Sequence, residues 1–281
     1  MNNSFYIVPT FNKDFLILDV LNGIVKSHSS NDIPTIICLV DGCTDNTETL
    51  VNSFKESYKD PQKMHIIKLN DVHEIRSLNH GLEYIKNNLS PNSDDLIFMI
   101  QDDVILNDEN INLKFNKLFE YRKDLGYVSM RFGCKLHSFN NDIHESDFTE
   151  SEFGHWSQPN IHFNCKILKH LEFQTFQIVV RSPTCVQWRT FESVGFFDDN
   201  LAPLGYDCHD FSIRCNLKGY TNGVLAIKFK SDVSWGSTRS PNKKYNMKSI
   251  YERNRKYLAN KHKDYFSKLK FLENSIISTS K

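Results

Sequence analysis

Over the first hundred residues, short apolar runs alternate with stretches whose apolar positions recur at helical spacing. Residues 5–8 (Phe-Tyr-Ile-Val) read as a strand stopped by Pro9-Thr10. Phe15, Leu18, Leu21, Ile24 and Val25 then fall on one helical face and predict a helix over 14–27. The same reading gives strands over 35–40, 64–69 and 95–100, and helices over 47–58 and 77–87. Asp45 or Asn46 is the expected N-cap of the second helix. These strands are apolar throughout instead of alternating, as expected when helices cover both faces of a parallel sheet. Strand–helix repetition of this kind predicts an α/β, doubly wound domain.

Beyond residue 110 the pattern loosens. A helix is expected over 112–123 and strands over 126–132 and 176–180. A helical turn is expected at 190–194 and a helix over 210–217, ended by Gly219-Tyr220. The polar stretch 135–164 reads as a long loop, either a lid or a surface excursion. From about Lys248 the tail is helical, with a stripe at Tyr251, Leu258, Tyr265, Leu269 and Leu272.

Composition narrows the function classes. The 281 residues carry 34 Lys+Arg and 34 Asp+Glu, so the formal net charge is zero and a nucleic-acid partner is not expected. Between Arg239 and Lys270, however, eleven basic residues face two acidic ones. That tract is either a solvated helix face or a peripheral contact with anionic lipid or a diphosphate carrier. The longest apolar runs are about five residues, against the roughly 20 that a membrane-spanning helix needs. Met1-Asn2-Asn3-Ser4 shows no leader-like pattern. Seven cysteines without a CxxC pair fit a reducing compartment, so a cytoplasmic location is expected.

The familiar phosphate, dinucleotide, hydrolase and zinc-protease motifs are missing from the sequence. What remains is acids at strand ends. Asp41 closes one strand, and Asp102-Asp103 follows five apolar residues of another. In open α/β sheets ligands bind beyond the carboxyl ends of the strands. Two adjacent carboxylates there repel unless a cation compensates, which points to a hard divalent ion, Mg²⁺ or Mn²⁺. A turn-forming Asp41 and a solvated acid pair are the bland alternatives.

Six segments in order carry a family resemblance. They are Phe5-Tyr6-Ile7-Val8-Pro9-Thr10-Phe11-Asn12, Leu39-Val40-Asp41-Gly42-Cys43-Thr44-Asp45, Ser77-Leu78-Asn79-His80-Gly81-Leu82, Gln101-Asp102-Asp103, Val194-Gly195-Phe196-Phe197-Asp198, and Gly205-Tyr206-Asp207-Cys208-His209-Asp210 through Arg214 to Gly219-Tyr220. Over residues 5–220 this resembles glycosyltransferase family 2. The resemblance implies a GT-A fold, a mixed sheet flanked by helices, here with a helical C-terminal extension. It divides the chain into a 1–240 transferase domain, with a nucleotide-sugar half (1–110) and an acceptor half (111–240), and a 241–281 extension. It also implies inverting transfer of a hexosyl or deoxyhexosyl group from a nucleoside-diphosphate sugar, such as a UDP-sugar, to a glycan or glycoconjugate hydroxyl, with Mn²⁺ or Mg²⁺ as cofactor.

Carried over by position, Pro9, Thr10, Asn12, Asp41, Asn79 and Asp102 would line the nucleotide-sugar site, Asp103 would hold the metal, and Asp207 or Asp210 would be the general base. Gln101 stands where relatives have an acid, Cys208 where they have the usual base, and Trp235 in a region where many have a histidine. A non-catalytic nucleotide- or glycan-binding protein on the same fold is the alternative. A sugar-phosphate nucleotidyltransferase would want a Gly-rich basic first loop, which Asn12-Lys13-Asp14 does not supply.

Overall fold

The computed structural model describes residues 2–30, 32–139, 142–150, 167–236 and 246–269. The elements of the first half run β1 (Ser4–Thr10), α1 (Ile17–Ser27), β2 (Thr35–Asp41), α2 (Thr47–Ser57), β3 (Met64–Leu69), α3 (Glu74–Tyr84), β4 (Leu96–Met99), β5 (Val104–Leu106), α4 (Ile111–Tyr121) and β6 (Leu125–Ser129). They continue with β7 (Phe132–Phe139), β8 (Asp142–Glu150), β9 (Phe173–Phe176), β10 (Ile178–Val180), β11 (Thr184–Gln187), α5 (Trp188–Val194), α6 (Asp207–Leu217), β12 (Thr221–Leu225), β13 (Phe229–Ser231) and α7 (Met247–Lys261).

Eight strands form the central sheet in the order β3-β2-β1-β4-β11-β6-β12-β9. The first four are mutually parallel, while β11 runs antiparallel to both β4 and β6. The sheet is therefore the mixed, helix-flanked kind expected of a GT-A fold. Successive side chains of one strand serve opposite faces. On β1, Tyr6 and Val8 enter a core with Leu21 and Ile24 of α1 and Phe115 of α4, while Phe5 and Ile7 enter another with Leu78 and Leu82 of α3 and Phe211 of α6. Burial on both faces is what makes β1, β2 and β4 read as unbroken apolar runs, whereas β3 at the sheet edge is only half-buried. Gly81 lets α3 settle onto β1, because a Cβ there would stand 2.8 Å from Ile7 Cγ2.

Several expectations change. The stretch 135–164 is not wholly loop: β7 and β8 pair antiparallel up to Glu150, and residues 151–164 lie outside the described residues. On β7 Cys134 and Leu136 are buried against Ile178, Ile213 and Leu258 while Lys135 between them is exposed, so a polar composition hides this strand. The strand expected over 176–180 is two, β9 and β10, which break at Gln177 and belong to different sheets. Helix α3 starts at Glu74 and α6 at Asp207, each three residues earlier than its apolar pattern indicates. In the C-terminal extension, α7 buries Asn254 and Leu258, and the chain is helical again over 263–269. Leu272, Trp156 and the basic residues Arg239, Lys243, Lys244 and Lys270 lie outside the described residues. Among the described residues no helix is long and apolar enough to cross a membrane.

Candidate active site

Strands β1, β2 and β4 end side by side, and the loops that leave them are stitched together. Asn12, in the left-handed region at φ 50°, turns the chain after β1. Its side-chain oxygen accepts the Thr44 amide at 2.8 Å. The Lys13 amide donates to Thr47 Oγ1 at 2.7 Å and the Asp14 amide to Asp45 Oδ2 at 3.1 Å. Asp45 also accepts the Thr47 amide, so it caps α2 although Asn46 is the boundary residue. Pro9 pairs with Leu39 in the ladder, and the buried Thr10 hydroxyl has no hydrogen-bond partner. Asp41 is buried, and its two oxygens accept the amides of Val72 and His73, each at 2.8 Å. Gly42 follows at φ 69°, with Asp71 Cβ 2.8 Å from where its own Cβ would be, so only glycine fits that turn.

A cluster of charge sits at the end of β4. Asp102 Oδ2 accepts the Phe11 amide at 2.9 Å, and Oδ1 lies 3.8 Å from the buried ammonium of Lys13. Burial pushes the Asp102 carboxyl up to about 7; Lys13 opposes the shift, and Asp103 adds to it. Lys13 Nζ also donates to the Trp235 carbonyl at 2.5 Å. Asp103 is half-buried beside it. Gln101 donates its side-chain amide to Glu74, the first residue of α3, and Glu74 lies 3.4 Å from Arg181 Nη2. Burial raises the Glu74 pKa, Arg181 resists, and Asp207 adds repulsion. An acid at position 101 would face Glu74 directly; the amide there gives it a hydrogen bond.

The two base candidates part company. Arg181 Nη2 meets Asp207 at 2.9 Å, so Asp207 joins the cluster at the end of β4. Asp210 is fully buried and engages Arg214 at 2.7 Å, Lys261 at 2.6 Å and His262 at 2.8 Å. Burial alone would raise its pKa, but the hydrogen bond from His262 and the charge of Arg214 hold it low. Although α6 does start at Asp207, its first turn points one acid toward β4 and the other toward α7. The Cys208 thiol, pushed up to about 12 by burial and by Asp207, stays protonated near neutrality. Asn79 is occupied elsewhere: its amide donates to Phe197 O and Asp199 Oδ1, both at 2.9 Å, and its oxygen accepts the Phe197 amide.

Glu74 and Lys13 escaped the sequence reading. Glu74 lies in a polar stretch ahead of the expected helix start, and Lys13 looked like an ordinary loop lysine beside Asn12. Only burial marks either one. Arg181 draws its two carboxylate partners from α3 and α6, elements distant from it in sequence.

The carboxylates at the β4 end are hard oxygen donors. Asp102 and Asp103 put two adjacent carboxylates there, the number by which a magnesium-type ion is commonly held beside a substrate's phosphates, with Lys13 against one of them. Among the described residues no group of three or more His, Cys, Asp or Glu could hold a metal ion.

No curated protein sequence matches the chain. Among solved structures, the crystal structure of TarS from S. aureus aligns at a TM-score of 0.51 and 15% identity, over 83% of this chain and 37% of that one. The structure of GalNAc-T7 with UDP, GalNAc and Mn²⁺ aligns at a TM-score of 0.61 and 8% identity, over 83% of this chain and 44% of that one. The chain thus spans less than half the length of either, and at these identities the likeness shows a shared GT-A fold. The profile described as glycosyl transferase family 2 matches residues 6–179, more than half of the sequence, and the chain belongs to that family.

Proposed function

We propose that the protein is an inverting glycosyltransferase that moves a sugar from a nucleoside-diphosphate sugar to a hydroxyl of a glycan or glycoconjugate. The observation that supports this reading is that Asp41 ends β2 and Asp102-Asp103 follows β4 at the same end of neighbouring parallel strands, while Arg181 and Glu74 tie Asp207 of α6 to Gln101 beside them. Solved neighbours are described with UDP-GlcNAc, and with UDP, GalNAc and Mn²⁺, which supports a uridine nucleotide donor.

In this reading Pro9, Thr10 and Asn12 border the nucleotide, and Asp41 accepts the ring N–H of the base with a lone pair left over from the Val72 and His73 amides. Asp103 holds Mn²⁺ or Mg²⁺, with Asp102 beside it; when bound, the ion neutralises charge on the departing diphosphate. Lys13 adds a fixed positive charge at the same edge. Asp207 takes the proton from the acceptor hydroxyl, and Arg181 orients its carboxylate. Asp210 serves the architecture of α6 and α7. Asn79 acts on the donor side indirectly, by fixing the Phe197–Asp199 loop.

The alternative, a binding protein without turnover, is favoured by the Asp207–Arg181 ion pair, which occupies the base. A panel of nucleotide sugars in thermal-shift and turnover assays, with and without Mn²⁺, decides between them. Release of nucleoside diphosphate supports the enzyme; donor-induced stabilisation with no release supports the binding protein.

A further inference from the structure

We infer that Asn254 of α7 is a positioning residue for the segment that carries Asp207, so that this C-terminal helix, beyond the matched family region, belongs to the working site. The inference rests on the reading of Asp207 as base. Between Leu201 and Tyr206 the backbone has no regular structure, and Asp207 follows it as the first residue of α6. Buried carbonyls in such a segment need donors from elsewhere. Asn254 is fully buried, and its side-chain amide donates to Leu201 O at 2.8 Å, Leu204 O at 3.0 Å and Gly205 O at 3.0 Å. Its oxygen accepts Arg253 Nε at 2.9 Å and Nη2 at 2.8 Å, which fixes which way the amide faces. Arg253 Nη2 also donates to Ala202 O.

The same helix presses on the turn itself. Tyr251 Cε1 stands 2.7 Å from where a Cβ on Gly205 would be, and Gly205 holds φ 93°. One side chain therefore gathers three carbonyls from the five residues before the Asp207 turn. If they relax, Asp207 shifts relative to Arg181, and a displacement of about 1 Å at a reacting group costs on the order of 100-fold in rate.

Asn254→Asp keeps the shape but removes both donors; Arg253→Met is the milder second variant, should the first fail to fold. Hydrogen exchange on the full chain is read at residues 202–207 and at β1, β2 and β4, alongside turnover and UDP affinity by calorimetry. The inference expects exchange at 202–207 to quicken by about tenfold or more with the strand amides unchanged. It expects turnover per folded molecule to fall by about tenfold or more while the UDP Kd stays within about twofold. Unchanged exchange at 202–207 overturns it, as does wild-type turnover in a variant whose only defect is a lower Tm. If the wild-type protein transfers and hydrolyses no sugar, the proposed function fails, and the exchange data alone decide whether Asn254 holds the segment.

Discussion

Replacing Asp210 by alanine separates an architectural acid from a catalytic one. The carboxylate is fully buried and meets the cationic side chains of Arg214 and Lys261 and the ring of His262. Breaking a buried pair by removing one partner costs roughly 3–5 kcal/mol, because the remaining charge is stranded. Here two of the three keep other acceptors: Arg214 still donates to Val194 O at 2.7 Å and Phe196 O at 2.8 Å, and Lys261 still pairs with Asp198 at 2.5 Å. Only the His262 ring contact is lost outright, so the low end, about 3 kcal/mol, is expected from urea unfolding at pH 7.

The pH dependence has a definite sign. Asp210 has a lower pKa folded than unfolded, so between those two values the unfolded chain binds more protons. Its contribution is complete above the unfolded value of about 3.9 and fades as the pH falls through the folded one. The gap between wild type and variant should therefore narrow in acid. Asp210→Asn should keep UDP affinity and, per folded molecule, turnover. A loss below about 1 kcal/mol at pH 7, the range of exposed ion pairs, refutes the stability argument. An inactive but folded Asp210→Asn beside an active Asp207→Asn reverses the roles of the two acids.

Asp207→Asn should lower turnover by about 10²–10⁴-fold with UDP affinity nearly unchanged, as steady-state kinetics and calorimetry will show. Asp103→Ala should abolish the Mn²⁺-dependent part of donor binding; unchanged metal-dependent affinity in calorimetry would remove it as a ligand. Asp41→Asn should weaken UDP binding by about 1–3 kcal/mol while leaving pyrophosphate binding alone, and an equal loss for both would mean the residue only shapes the turn.

The first hundred residues were legible because their physics is local. The inner strands β1, β2 and β4 are buried on both faces, and β3, half-buried at the sheet edge, still matches its expected bounds of 64–69, while β2 differs by one residue. Gly42 was legible as part of the break after β2, whereas Asn12 came from the family resemblance, and its bond to the Thr44 amide crosses to another loop. The stretch beyond residue 110 resisted for two reasons. Its strands β11, β12 and β13 are only three to five residues long and escaped the sequence reading. Its charge cluster is assembled across the sheet: nothing near Asp207 in the sequence announces Arg181, and nothing near Arg181 announces Glu74. The early starts of α3 and α6 share a cause. Their first turns carry Glu74, Asp207 and Asp210, so apolar periodicity begins after the helix does.

The strand order also sets a timetable for synthesis. Strands β1 to β4 are neighbours in sequence as well as in space, so the sheet up to Met99 can pair as it leaves the ribosome. The next strand, β11, is made only after β5 through β10, yet it fills the slot between β4 and β6. Until Thr184–Gln187 emerges, β4 keeps an unpaired, apolar edge, the kind of surface that invites wrong partners. Nascent chains halted short of residue 184 should therefore be the ones most dependent on chaperones. Closure at that single strand joins the two halves of the site in one event, late in folding.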